Sequence, residues 1–310
     1  MKKGLTAAVW VAALYTLSFA AFAQWPDYPT PNVPHKANGE PDLEGPVPRM
    51  ADGKPDLSGV WQLKRMGRRG QGGGRGQGGG PNQQPPAPPP GTPPLATFFN
   101  IGAGFPDGLP FQPWARKLRE ERMANDNKDN PDAHCLPIGL TQFHMHPQPR
   151  KIIQTPNLIV MLYESNYGVR QIFLDGRPLP KPEDVEPWWY GYSIGHWEGD
   201  TLVVETTGFR DGGWLDVTGS PLTDEAKVTE RFRRVNFGNM QIDVTIDDPK
   251  AYTKPFTVRI NHEIMLNTDL IEFICLENEQ SSQFYDSDGA EPADSAPAPA
   301  AESNGTTGSN

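Results

Sequence analysis

Cationic charge, cysteine and long apolar stretches are all scarce in this chain. Its 310 residues carry 28 Lys and Arg against 38 Asp and Glu, a formal net charge of −10. A protein that grips nucleic acid through phosphates needs the opposite balance, so that class is excluded. The few arginines at 67–76 sit in Gly-rich sequence and read as part of a flexible insertion. There is no phosphate-cradling loop, no Gly-x-Ser-x-Gly elbow, no His-Glu-x-x-His and no CxxC, so the familiar signatures of nucleotide binding, serine hydrolysis, zinc proteolysis and dithiol exchange are missing. The Gly-rich run at 70–80 is low complexity without a strand–turn–helix context. No cofactor is implied.

One apolar run is present, at residues 5–22, behind Lys2 and Lys3. Ala21-Phe22-Ala23 fits the small-x-small rule for cleavage before Gln24, so residues 1–23 read as a signal peptide. A span of about 18 apolar residues could just cross a bilayer. The cleavage site and the Pro-rich polar sequence after it favour removal, which leaves no transmembrane segment. No lipobox cysteine follows. The expected location is the bacterial periplasm or beyond it. In an exported protein the two cysteines, Cys135 and Cys275, suggest one disulfide. The alternative is two thiols, with Cys275 buried in an apolar strand at 273–276.

The 34 Pro and 32 Gly are unevenly spread. Residues 67–95 cannot bury a core and read as a disordered insertion; residues 286–310 form an acidic tail of the same kind. Between signal and insertion, residues 24–58 make an extended arm with a short repeat, Gly39-Glu-Pro-Asp-Leu-Glu-Gly45 and Gly53-Lys-Pro-Asp-Leu-Ser-Gly59. Pro-Asp is a turn signal, and the second copy leads into a first strand at 60–63. The single folded domain is placed at 59–285.

One helix is expected at 115–125, started by Pro113, with Trp114, Leu118 and Met123 as an approximate apolar stripe and a solvated cationic face opposite. Beyond it the chain reads as strand after strand: 151–155, 158–164, 168–174, 188–197, 201–207, 226–235, 240–246, 256–265 and 270–276. The run 240–246 alternates cleanly, with Met240, Ile242, Val244 and Ile246 on one face. Glu198, Gly199 and Asp200 form a tight hairpin turn between two of the strands. Eight to ten short-spaced strands point to a mainly β fold, an antiparallel up-and-down β-barrel with one short N-terminal helix. Gly59-x-Trp61 at its entrance resembles the lipocalin signature.

Asp52-Gly-Lys-Pro-Asp-Leu-Ser-Gly-Val-Trp61, Cys135-Leu-Pro-Ile-Gly139, Leu174-Asp-Gly-Arg177, Ser193-Ile-Gly-His-Trp-Glu-Gly-Asp-Thr-Leu-Val-Val204 and Glu230-Arg-Phe232 occur in order. Over residues 50–280 they resemble a large family of uncharacterised exported bacterial proteins. The resemblance implies export and a β-rich, lipocalin-like or calycin-like domain, and it brings no catalytic residues. Members often carry Pro-His-Ser ahead of the Glu-Arg-Phe strand. Here Pro221-Leu-Thr-Asp224 stands instead, so a metal role resting on that His does not carry over.

Three constellations remain. His144 and His146 would share one face of a strand and could meet a zinc or copper ion, with His134, His196, Glu164 or Glu230 as a third ligand. Pro147 and Pro149 argue for a loop instead, and no metal site is assigned. Trp188, Tyr190 and Tyr192 fall on one side of a strand, an aromatic row suited to a flat apolar or sugar ligand at a barrel mouth, or to plain core packing; with Arg170 they are the candidate ligand-binding residues. Glu230 shares a face with Val228 and Phe232, so it should point inward, where it needs an Arg partner or a raised pKa; Arg170 is the candidate partner. These features give three functional expectations. The first is an exported protein binding a small apolar or amphipathic ligand, or a partner protein of the envelope. The second is a barrel enzyme (lyase, isomerase or metal-assisted hydrolase) using His144, His146, His196 and Glu230. The third is a structural envelope module.

Overall fold

The computed structural model describes residues 28–64, 89, 91–165 and 168–277. The expected signal peptide, the acidic tail and most of the Gly/Pro-rich insertion lie outside the described residues. The elements run from β1 (Gly59–Leu63) through α1 (Pro113–Ala124), a 3-10 turn at Pro131–His134 and the six-residue helix α2 (Leu140–Met145). Then come β2 (Arg150–Gln154), β3 (Leu158–Tyr163), β4 (Val169–Phe173), β5 (Tyr192–Glu198) and β6 (Thr201–Thr207). The two-residue strands β7 (Gly213–Trp214) and β8 (Pro221–Leu222) pair with each other. They precede β9 (Lys227–Arg234), β10 (Asn239–Asp247) and β11 (Phe256–Met265).

Nine strands close into a barrel in the order β1-β11-β10-β9-β6-β5-β4-β3-β2, with β2 pairing back onto β1. Closure gives every barrel strand a neighbour on both sides. Every pairing is antiparallel except that of β4 with β5, where Ile172 lies beside Ser193 and Phe173 beside Ile194 in parallel. The sheet is therefore mixed, which corrects the expected up-and-down meander. The cause is the connection at 174–191: with Pro178, Pro180, Pro182 and Pro187 it cannot join a ladder, so it crosses over and starts β5 in the direction of β4.

Period-2 patterning explains the strands that were legible. Met240, Ile242, Val244 and Ile246 on β10 are fully buried, as are Val228 and Phe232 on β9 and Val258 and Ile260 on β11. The expected strand at 270–276 is not one. Because β11 already pairs with β1, the barrel needs no further strand. The segment runs as a strap instead, held by Ile271 N–H donating to Glu164, by Lys151 on Asp269 and by the Cys135–Cys275 disulfide. Nor is 188–197 all strand: β5 begins at Tyr192, after a turn at Gly191, whose φ is +64°. At the end of the expected insertion, Pro94 and Ala96 hydrogen-bond to Arg259 on β11, so that end is ordered.

Helix α1 departs from its apolar-stripe reading. Trp114 and Met123 are exposed and only Ala115 is buried. Its arginines do the docking: Arg122 lies 4.3 Å over the Trp214 ring and donates to the Gly219 carbonyl, and Arg119 reaches Thr218. The cationic face is a packing surface because guanidinium groups stack on aromatic faces while keeping their hydrogen bonds.

The repeat in the arm forms two turns of the same design. His35 bridges Pro41 and Arg49 bridges Pro55, each around a glycine at φ +82°. The first copy seats Leu43 against Gly238 at the β9–β10 turn. The second drives Leu57 into the core, where Trp61 donates to its carbonyl at 3.0 Å. Arg49 of this copy holds Asp200 of the β5–β6 hairpin through two hydrogen bonds of 2.8 and 2.7 Å. That turn is a fastening point for the arm.

Candidate functional site

Short helix α2 has all six residues buried and brings His144 inside the barrel. His144 Nε2 lies 2.7 Å from Glu230 Oε1. Arg170 donates to both Glu230 oxygens, at 3.0 Å to Oε1 and through a second, shorter bond to Oε2. The Arg170 guanidinium is then completed by Ser193 and Thr206 hydroxyls at 3.0–3.1 Å. The inward reading of Glu230 and its partnership with Arg170 both hold in the geometry. Burial alone would raise the Glu230 carboxyl, but the Arg170 charge and the bonds from His144 and Arg170 hold it down at about 2. Glu230 is thus ionised beside His144 Nε2, and burial lowers the His144 pKa against the opposing pull of the Glu230 carboxylate.

A second buried cation sits beside this group. Arg150 donates to the carbonyls of His144, His146 and Gln148 at 2.6–2.7 Å, and its Nη1 lies 2.7 Å from His262 Nε2. Burial lowers Arg150 to about 10 and, with Arg150's charge, pushes His262 well below its usual value. Tyr163, against Phe143 at 4.2 Å, is pushed up to about 12 by burial. Arg150, His262, Tyr163, Ser193 and Thr206 were not singled out from sequence. His262 had a signal, since it follows Phe256, Val258 and Ile260 at period 2; Arg150, at the start of a strand after two prolines, had none.

The other expected site residues separate. His144 and His146 lie at the end of a helix, where residues two apart point to different sides. While His144 meets Glu230, His146 faces Asp132 at 3.7 Å and the Phe98 ring. His196 is exposed on the outer wall beside Glu198 at 3.4 Å. His134 bonds the Lys128 carbonyl and Glu164 the strap. The proposed metal and catalytic set of His144, His146, His196 and Glu230 therefore does not converge; only His144 and Glu230 touch. Among the described residues no three His, Cys, Asp or Glu side chains are grouped to hold a metal ion.

The aromatic row is also divided. Tyr190 turns inward, 4.8 Å from Phe143, because Gly191 reverses the chain after it. Trp188 and Tyr192 stay on the outer wall, 6.1 Å apart, and Tyr192 stacks on Phe173 at 5.3 Å. Arg177 lies 3.9 Å over the Phe173 ring, donates to the Tyr192 hydroxyl at 3.0 Å and is forked onto Asp175. Trp188 is 50% exposed. This external shelf contrasts with the interior, where Glu230, His144, Arg170, Arg150 and His262 are at most 2% exposed.

Neither the protein-family models nor the curated proteins compared with this chain match it. Among the described residues no helix is long and apolar enough to cross a membrane.

Proposed function

We propose that this chain is an exported, lipocalin-like binding protein that takes a small amphipathic ligand on the outside of its barrel, at the shelf of Trp188, Tyr192 and Phe173. The observation that carries this reading is the contrast between a half-exposed Trp188 and a charge cluster closed to solvent. Large exposed aromatics with polar neighbours favour ligands that are apolar on one side and wet on the other. Buried Trp61 on β1 lies with the Arg234 guanidinium 4.9 Å over its ring, which supports the lipocalin-like part. The disulfide supports an oxidising compartment. Membership of the exported family belongs to the same proposal. The test is binding of the amphipathic probe 1-anilinonaphthalene-8-sulfonate: Trp188→Ala should weaken it at least about tenfold, the loss of one aromatic contact. Unchanged affinity in that variant would remove the shelf from the account.

A second reading, an enzyme on the same scaffold, draws on one observation. His144 Nδ1 has no partner while Nε2 is oriented by a carboxylate, the arrangement of a general base. It requires the barrel to open, and a turnover abolished by His144→Gln but untouched by Trp188→Ala would favour it.

A further inference from the structure

We propose that the external shelf is a carbohydrate subsite, with Trp188 and Tyr192 taking the C–H face of a pyranose ring and Asp175, Arg177 and the Tyr192 hydroxyl reading its hydroxyl edge. The inference rests on the reading of the outer wall as the binding surface and narrows the ligand class.

Three features converge on a sugar ring. First, Trp188 stands exposed on an ordered backbone. Its backbone N–H donates to the Gly208 carbonyl and its own carbonyl accepts from Arg210 N–H, both at 2.9 Å. With the chain already held there, only the side-chain rotamers remain to be ordered when a ring settles on the indole. Second, the polar rim has capacity left. Arg177 donates to the Tyr192 oxygen, so the phenol proton is free to donate outward. Asp175 is held by Arg177 Nε and Nη2 at 2.6–3.1 Å, and its carboxylate has further acceptor positions on a side chain that is 35% exposed. Third, the charges of Asp175 and Arg177 cancel. A purely apolar ligand would cover this pair and leave its remaining hydrogen bonds unmade, which costs affinity. A charged ligand would meet no net counter-charge. A neutral polyol with one apolar face satisfies the ring surface and the rim together.

The test uses the full chain labelled with ¹⁵N at its tryptophans, the Trp188 indole signal being identified by its absence in Trp188→Phe. The probes are cellotetraose, maltotetraose and the N-acetylglucosamine tetramer, with decanoate as an amphiphile lacking hydroxyls. The expected result is a saturable shift of the Trp188 signal with at least one sugar. The Trp61 and Trp214 signals should stay in place, and Asp175→Asn should weaken binding about tenfold through the loss of a charge-assisted hydrogen bond. If decanoate moves Trp188 and no sugar does, the carbohydrate assignment fails and the binding-surface reading stands. If none of the four probes moves Trp188, both fail. Sugar binding that ignores Asp175→Asn would overturn the assigned rim.

Discussion

Replacing Glu230 with Gln removes a buried carboxylate that pairs with the buried Arg170 guanidinium, and the structure sets the size of the loss. Glu230 accepts one hydrogen bond from His144 and two from Arg170. An amide keeps one acceptor oxygen and turns an NH₂ toward groups that are themselves donors. Arg170 retains the Ser193 and Thr206 hydroxyls and loses its counter-charge. Breaking a buried pair by neutralising one partner costs about 3–5 kcal/mol, because the other charge stays buried. Against a total domain stability of about 5–15 kcal/mol this is a large fraction. At about 2–4 °C per kcal/mol for a domain of this size, Tm should fall by roughly 6–20 °C. Urea unfolding followed by far-UV circular dichroism, with the disulfide intact, measures it. The double variant Arg170→Met/Glu230→Leu removes both charges and should recover at least half of the loss, since the desolvation cost disappears with the pair. A Glu230→Gln protein within about 1 kcal/mol of the parent, the range of a surface ion pair, would show that Arg170 does not depend on the Glu230 charge.

Acid should destabilise the protein in two stages. His144 and His262 have lowered pKa values in the fold, so the unfolded chain binds their protons first and stability declines as pH falls below about 6.5. Glu230, held at about 2, adds stability that is present above about 4.5 and is lost between there and 2. A urea midpoint unchanged from pH 7.5 to pH 5 would contradict the first stage, and one unchanged from pH 5 to pH 2.5 the second. Cys275→Ser frees the strap and opens a 140-residue loop; it should cost about 2–5 kcal/mol, read as a lower urea midpoint with the β signal intact below it. Gly191→Ala should cost about 2 kcal/mol or more, because an alanine Cβ at φ +64° would stand 2.6 Å from Thr206 Cγ2 and 2.7 Å from the Thr207 carbonyl. A neutral result in thermal unfolding would mean that the turn relaxes. His196→Ala, at an exposed side chain, should stay within about 0.5 kcal/mol.

Period-2 patterning made most of the barrel readable. It placed β10 and β11 to within a residue or two and sent Glu230 inward. It failed where tertiary partners override local pattern. The segment 270–276 has strand composition, but a barrel already closed by β1 and β11 left it no ladder to join. The parallel β4–β5 step could not be read either, since direction is set by how a proline-rich crossover folds rather than by the strands. On α1, the arginines found an aromatic and carbonyl-rich loop at 214–219 that lies about a hundred residues away in sequence. Site residues divide in the same way. Arg170 and Glu230 followed from one rule, that an inward carboxylate needs a cation. His144 and His146 were paired on strand geometry, and a six-residue helix undid the pairing. Tyr190 was grouped with Trp188 and Tyr192 by spacing, and a single glycine at positive φ reversed it.

If binding falls to the outer wall as proposed, the His144–Glu230–Arg170 cluster is structural and stays closed to solvent. NMR titration of the histidine side chains between pH 5 and 8 reads this out. His144 should hold a single tautomer, with its Nε2 proton exchanging slowly and its shifts constant across the range, while the exposed His196 exchanges freely with solvent. An His144 ring that titrates near 6.5 and exchanges rapidly would show instead an open barrel and a base available for chemistry.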